Sequence, residues 1–292
     1  MSHQSIQSVR VVPIQPFIGA QIEGLDLTQP VEAGTAELLR SALAEYGVLV
    51  IRGQEISRTQ HVEFAKAFSR RTTDIFTYQR AQSDPVPEHP EILTVLSDGK
   101  RNTAVDIWHT DESFRPIPPA ASILRACILP SFGGDTVFSN AAKAYERLSD
   151  DIKEEIRGLK ALHGPAYGFY LRGASRSLAA PENMKKYLES NPPHEQPVVR
   201  RHPVTGVPVL YVNQKYTGPI VGLDQEESRD LLKILCDQIA KPDYQMRVKW
   251  ELGTIVVWDN CLVQHYAVND YSEPRRLERV TIAGECAPVG LV

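Results

Sequence analysis

Short apolar runs, broken at close intervals by glycine, proline and polar clusters, recur along this chain and restrict its fold more than any other feature. Ala121–Ile128, Thr136–Ser139, Val198–Arg201, Val207–Val212, Thr254–Trp258 and Leu277–Ala283 each have the length of a strand. Val48–Ile51, introduced by Gly47 and closed by Arg52-Gly53, reads as a further buried strand. From Val9 to Leu27, shorter β-branched stretches are interrupted by Pro13, Pro16 and Gly24, the pattern of edge strands and turns.

Helical spacing predicts elements over residues 34–46, 59–68, 148–159 and 225–239. Ser57 stands ready as N-cap of the second, Ser149 and Asp150 open the third, and Asp224 opens the fourth. Helices and strands do not alternate strictly, and neither GxGxxG nor GxxxxGK[ST] is present, so a doubly wound parallel sheet is not expected. The pattern predicts a mainly β protein with flanking helices, built as an antiparallel sandwich. With 292 residues, 42% of them apolar, the chain can bury one large core, and a single domain over 1–292 is expected. Polar, proline-bearing connections around 72–105 and 163–195 are long enough to act as lids or pocket walls.

A net charge of −4 leaves no basic footprint for nucleic acid, and any bound anion is expected to be small. No apolar stretch approaches the roughly 18 residues of a membrane span, and the N-terminus lacks a signal-peptide layout, so a cytoplasmic location is expected. Cys127, Cys236, Cys261 and Cys286 are scattered without a CxxC pair and read as reduced thiols.

Chemistry concentrates in four places. In Trp108-His109-Thr110-Asp111, residues two apart on a strand share a face, so His109 and Asp111 can converge on one metal. Far downstream, the strand ending in Trp258-Asp259-Asn260 leads to His265, a possible third ligand. Two histidines and a carboxylate on one face of an octahedral ion leave positions open for a bidentate cosubstrate and O2, the pattern of non-haem iron oxygenases. Beyond His265, strand alternation puts Arg275 and Arg279 on one face, where they could capture anionic groups; surface pairing with Glu278 and Glu273 is the competing explanation. Finally, Gly133-Gly134-Asp135-Thr136 is a turn that delivers a hydroxyl to the start of a strand.

Taken with Ile18-Gly19-Ala20, Ala44-Glu45-Tyr46-Gly47-Val48, His202-Pro203-Val204-Thr205-Gly206, Tyr211-Val212-Asn213 and Gln264-His265-Tyr266-Ala267, these motifs make the chain resemble the taurine dioxygenase family of iron(II)/2-oxoglutarate oxygenases over nearly its whole length. The resemblance implies a double-stranded β-helix (jelly roll) with outer helices, assembled as a homo-oligomer, dimer or tetramer. It implies that His109, Asp111 and His265 hold Fe(II), and that Thr136 and Arg275, with Arg276 as the alternative, bind the distal carboxylate of 2-oxoglutarate. Arg279 would face an anionic substrate, with Tyr216 where the family has an aromatic residue near it; Trp108, beside the first ligand, could form a pocket wall or serve as packing. Because Asp111 is present, the resemblance favours hydroxylation over halogenation, with O2 consumed and succinate and CO2 released.

Ser69-Arg70-Arg71-Thr72-Thr73-Asp74 stands where the taurine enzyme has a substrate-contacting histidine, so the candidate substrates are taurine, alkyl sulfonates, alkyl sulfate esters and aryloxyalkanoates. Phe76, Tyr78, Tyr167, Phe169 and Tyr170 could enlarge an aromatic pocket or equally only fill core space. A zinc hydrolase or a non-catalytic metal-binding jelly roll is the rival reading, in which the arginine pair and Thr136 have no evident task.

Overall fold

The computed structural model describes residues 8–69, 85–86, 88–98, 106–167, 170–172 and 182–291. Its framework is an eight-stranded sheet in the spatial order Arg10–Pro13, Ala20–Glu23, Val48–Ile51, Ile255–Asp259, Ala121–Ile128, Arg275–Ile282, His89–Ser97 and Pro85–Val86. Neighbours run antiparallel except Ala20–Glu23 and Val48–Ile51, which pair in parallel and need the intervening helix Ala33–Tyr46 as their crossover. Two three-stranded sheets accompany it. One centres on Thr136–Asn140 between Gln245–Val248 and Val263–Ala267, the other on Lys160–His163 between Thr217–Ile220 and His194–Pro197. A hairpin of Val199–Arg201 with Pro208–Leu210 lies beside them.

The large sheet is covered on both faces, which is why Val48–Ile51 and Ile255–Trp258 read as continuous apolar runs rather than alternating ones. Val48, Val50, Val256, Trp258 and Leu277 face an inner core shared with Phe138, Met246 and Val263 of a smaller sheet. Leu49, Ile51, Ile255, Val257, Val280 and Ile282 face an outer core with Leu39 and Leu43 of helix Ala33–Tyr46 and Phe64 of helix Arg58–Lys66. Period-2 alternation therefore assigns each residue of the arginine strand, Arg275–Ile282, to one side or the other.

The expected helix starts are present. Ser57 and Gln60 close a capping box on Arg58–Lys66, and Asp224 with Glu227 closes another on Gln225–Ile239. Other elements depart from expectation. The helix expected over 148–159 is confined to Asp150–Glu155, capped by Ser149, and a separate helix, Ala141–Glu146, precedes it with Asn140 as cap. A left-handed Gly158, φ +70°, turns the chain into the strand Lys160–His163.

Within the stretch read as a connection around 72–105, His89–Ser97 is a strand of the large sheet, with Leu93 opposite Arg279 and Val95 opposite Leu277. Its run Ile92-Leu93-Thr94-Val95-Leu96 carries the strand signal, and flanking polar residues and Pro90 obscure it. The stretch around 163–195 likewise contains the helix Glu182–Glu189 and the start of the strand His194–Pro197. No described helix is long and apolar enough to cross a membrane.

Candidate active site

The strand Val263–Ala267 and a non-strand segment bridged to it bring the candidate ligands together. His109 and His265 form an isolated antiparallel bridge, each backbone N–H donating to the other's carbonyl at 3.1 and 2.8 Å, which sets their rings 4.1 Å apart. His109 thus sits in a single bridge rather than a regular strand, and Asp111 lies in the turn that follows. The possible ligand atoms of His109, Asp111 and His265 all lie within 4.8 Å of one another, and all three residues are buried.

The protonation states of the two imidazoles suit metal ligation. Burial, then the positive charge of Lys215, hold the His109 imidazole well below its ordinary pKa, and burial brings His265 down to about 4. Both rings are therefore neutral at physiological pH and offer lone pairs. His109 Nδ1 lies 2.8 Å from the Ile107 carbonyl, so Nδ1 carries the proton and Nε2 is the free lone pair. His265 Nδ1 is buried without a hydrogen-bond partner.

Asp111 is oriented by a relay through the WDN segment. The Trp258 indole donates to Asn260 Oδ1 at 2.9 Å, the Asn260 amide donates to Ser122 Oγ at 3.2 Å, and the Ser122 hydroxyl donates to Asp111 Oδ2 at 3.0 Å. The Thr110 hydroxyl, between His109 and Asp111, donates to the Asn260 carbonyl at 2.7 Å. On its other side Asp111 receives Arg279, whose Nη1 lies 2.8 and 2.9 Å from the two carboxylate oxygens. Arg279 Nε and Nη2 are buried and have no partner.

The arginine strand resolves its own ambiguity by alternation. Arg275 and Arg279 lie on the inner face. Arg276 lies on the outer face and pairs with Glu278, which is fully buried and also receives Arg58 at 2.7 Å and Arg125 at 2.5 Å. Surface pairing of Arg275 and Arg279 with Glu278 and Glu273 is thereby excluded; Glu273 instead accepts from Ser131.

Arg275 lies over the rings of Trp250 and Tyr271, and burial draws its guanidinium pKa below the usual value. Trp250 Nε1 donates to Thr136 Oγ1 at 3.0 Å, which leaves the Thr136 proton free to donate elsewhere. Gly134, at φ +71°, approaches so closely that a Cβ there would stand 3.1 Å from Arg275 Nε. The GGDT turn therefore has to be glycine-rich, because it shapes a cradle around Arg275 and Thr136.

The opposite wall is the segment after the Tyr211-Val212-Asn213 motif. Gln214 N–H donates to the Trp108 carbonyl at 3.1 Å, and Trp108 N–H donates to Gln214 Oε1 at 3.3 Å, tying this segment to the chain entering His109. Buried Asn213 accepts from the backbone N–H groups of Lys215 and Tyr216 and donates to Ser113 Oγ, which lies 2.8 Å from His163 Nδ1. The Tyr216 ring then sits edge-on to His109 at 6.3 Å and to Phe114 at 5.1 Å, and Lys215 Nζ lies 5.2 Å from the Tyr216 ring.

Trp108 packs on Tyr266 at 5.7 Å. Tyr167 lies against the backbone of Gly218, and Tyr170 lies beneath Arg229; both fill space between elements. Phe76, Tyr78 and Phe169, and the 70–74 segment, lie outside the described residues.

Sequence reasoning missed Lys215, Trp250, Tyr271 and Ser122. They fall outside the recognised motifs, and no local spacing signals them.

A family model described as taurine catabolism dioxygenase TauD, TfdA family matches residues 10–281. The chain is 34% identical to the alpha-ketoglutarate-dependent sulfate ester dioxygenase of Pseudomonas putida, over 96% of this chain and 91% of that protein. It is 32% identical to an alkylsulfatase of Acinetobacter baylyi, over 96% of this chain and 86% of that one. Among solved structures it resembles AAD-2 in complex with Mn(II) and N-oxalylglycine, with TM-score 0.79 and 31% identity over 97% of this chain and all of that one.

Proposed function

This chain belongs to the taurine catabolism dioxygenase TauD, TfdA family, and from that premise we propose that its buried triad serves iron(II)- and 2-oxoglutarate-dependent hydroxylation of a small organic sulfate ester. The enzyme is a 2-oxoglutarate-dependent dioxygenase that uses Fe(II), 2-oxoglutarate and O2. In this reading His109, Asp111 and His265 hold the iron. The fit rests on three converging donors, two neutral imidazoles and an otherwise unpartnered His265 Nδ1. Iron with 2-oxoglutarate and O2 supplies the oxidising power for C–H hydroxylation, with release of succinate and CO2.

The protein's own residues supply orientation. Thr136 and Arg275 hold the distal carboxylate of 2-oxoglutarate: a desolvated guanidinium with a free Nε and a hydroxyl with a free proton face one cradle. Arg279 takes the substrate's anionic group, with Tyr216 and Trp108 as walls.

The observation that carries the substrate class is the placement of Arg279. One nitrogen holds Asp111, while Nε and Nη2 remain buried without partners. An anion seated on them lies beside the metal ligands, so the carbon next to that anion is the one presented for hydroxylation. Lys215, whose charge is felt by both imidazoles, adds to the positive field. Hydroxylation of the carbon bearing a sulfate ester gives an unstable adduct that releases sulfate and an aldehyde. The two sulfate-ester relatives support this class over taurine.

The finer architecture belongs to the same proposal: the opposed inner faces form a double-stranded β-helix with the site in its mouth, as one domain over 1–292. The setting we propose is a cytoplasmic homo-oligomer, for which the unpaired cysteines are suited.

The test is succinate formation by purified protein with Fe(II), 2-oxoglutarate and O2 in the presence of hexyl sulfate, taurine or phenoxyacetate, with released sulfate, sulfite or phenol measured alongside. Hexyl sulfate giving the greatest stimulation, with sulfate matching succinate, supports the proposal. Equal or greater coupled turnover of taurine or phenoxyacetate overturns the substrate class.

A further inference from the structure

A second cavity lies away from the triad. It has a volume of about 320 Å3 and is walled by Leu43 and Ala44 of helix Ala33–Tyr46, by Phe68, Pro118 and Ile282, and by the buried guanidinium of Arg200. Ala121 and Asp259 also line it, and their chain neighbours Ser122 and Asn260 belong to the relay that orients Asp111. The cavity is thus separated from the iron site by that relay.

Arg200 is the unusual feature. It is 3% exposed, stacks 5.0 Å over the Tyr211 ring, and its Nε has no hydrogen-bond partner. A guanidinium cannot shed its proton, so burial leaves a full charge that needs an anion. Among the described residues no carboxylate forms an ion pair with it. Asp259 is near enough to be felt electrostatically, yet its oxygens are committed, Oδ2 to His202 Nε2 at 2.9 Å and Oδ1 to the Cys261 backbone N–H at 2.7 Å. Arg40, at the same cavity, is held by Glu37 and the Ala67 carbonyl. What remains is a mostly apolar chamber, lined also by Asp259 and Glu285, with the buried Arg200 Nε as a donor that no group among the described residues accepts.

We propose that this cavity is a second ligand site, which binds a small carboxylate with a short apolar body through Arg200, independently of iron and 2-oxoglutarate. The planar guanidinium suits a carboxylate head, and the aliphatic and aromatic walls suit a tail of a few carbons.

Cys286 makes the proposal measurable, because it lines the cavity and is exposed. Cys236 and Cys261 are buried, with their thiols pushed up to about 12, so neither competes as a fast-reacting thiol. The experiment uses the Cys127→Ser protein, with and without Fe(II), and follows labelling of Cys286 by a thiol reagent while hexanoate is added; hexan-1-ol is the uncharged control.

Hexanoate is expected to slow labelling saturably, by about fivefold at roughly four times its dissociation constant. Hexan-1-ol should leave the rate within about twofold, and Fe(II) should not alter the protection. Arg200→Met should abolish protection. Should that variant fail to fold, Ala44→Phe, which fills the chamber from a half-buried helix position, should abolish it with Arg200 intact. Equal protection by the alcohol, full protection in a folded Arg200→Met or Ala44→Phe protein, or no protection at millimolar hexanoate would each overturn the proposal.

Discussion

Replacing Arg275 by methionine keeps the apolar stem and removes only the guanidinium. Arg275 is 5% exposed, its Nε has no partner, and burial already depresses its pKa, so its desolvation cost is borne before any ligand arrives. A carboxylate that docks there gains charge-assisted bonds with little further loss, each worth about 1.5–3 kcal/mol. Taking about 3 kcal/mol for the pair, and about 1.4 kcal/mol per tenfold, the 2-oxoglutarate KM should rise roughly 100-fold. The kcat at saturating 2-oxoglutarate should stay within a few-fold. Removing an unpaired buried charge should also leave the melting temperature unchanged or raised, which separates lost binding from lost folding. Initial rates of succinate formation over a 2-oxoglutarate series, with equilibrium dialysis of labelled 2-oxoglutarate under nitrogen, measure the effect. Arg276→Met is the internal comparison: on the outer face, paired with Glu278, it should lower stability and leave the 2-oxoglutarate KM alone. A 2-oxoglutarate KM within about threefold of wild type in Arg275→Met, or a large rise in Arg276→Met, would refute the reasoning.

Three further outcomes are expected. His109→Ala or His265→Ala should fail to retain iron after dialysis and should form no succinate, because two remaining ligands cannot fix a facial site; stoichiometric iron with full activity in either would remove the assignment. Glu278→Gln leaves Arg58, Arg125 and Arg276 around an uncharged amide and should cost about 3 kcal/mol, toward the low end for a broken buried pair because Arg58 and Arg276 are about one-third exposed; urea midpoints measure it, and a loss under about 1 kcal/mol would contradict the network. Burial lowers His61 and His163 to about 3 against about 6.5 when unfolded, so below pH 6.5 the unfolded chain gains protons that the folded one refuses; stability should fall by about 2 kcal/mol per histidine between pH 7 and pH 5, and His61→Gln should remove about one histidine's share of that slope.

Much of this protein was legible in its sequence. The continuous apolar run Val48–Ile51 declared a buried strand, because a run without alternation must be covered on both faces. Ser57 and Asp224 marked helix starts, because a cap is a local hydrogen bond within a few residues. The motifs WHTD, GGDT and WDNCLVQH pointed to the triad and its neighbours, and alternation along Arg275–Ile282 separated Arg275 and Arg279 from Arg276.

What the sequence could not state was which distant partners each of these residues meets. That Arg279 is shared with Asp111, that Trp250 reaches Thr136, that Lys215 is felt by the ligand histidines, and that Arg200 is buried without an ion pair all depend on approaches across more than forty residues of chain. The strand His89–Ser97 passed as a connection because polar residues and Pro90 obscure its apolar run, and pairing with the arginine strand then fixes its place in the sheet. Local propensity writes caps, turns and strand faces, whereas the choice of counter-charge for a buried ion is made by whichever groups the folded topology brings within a few ångströms.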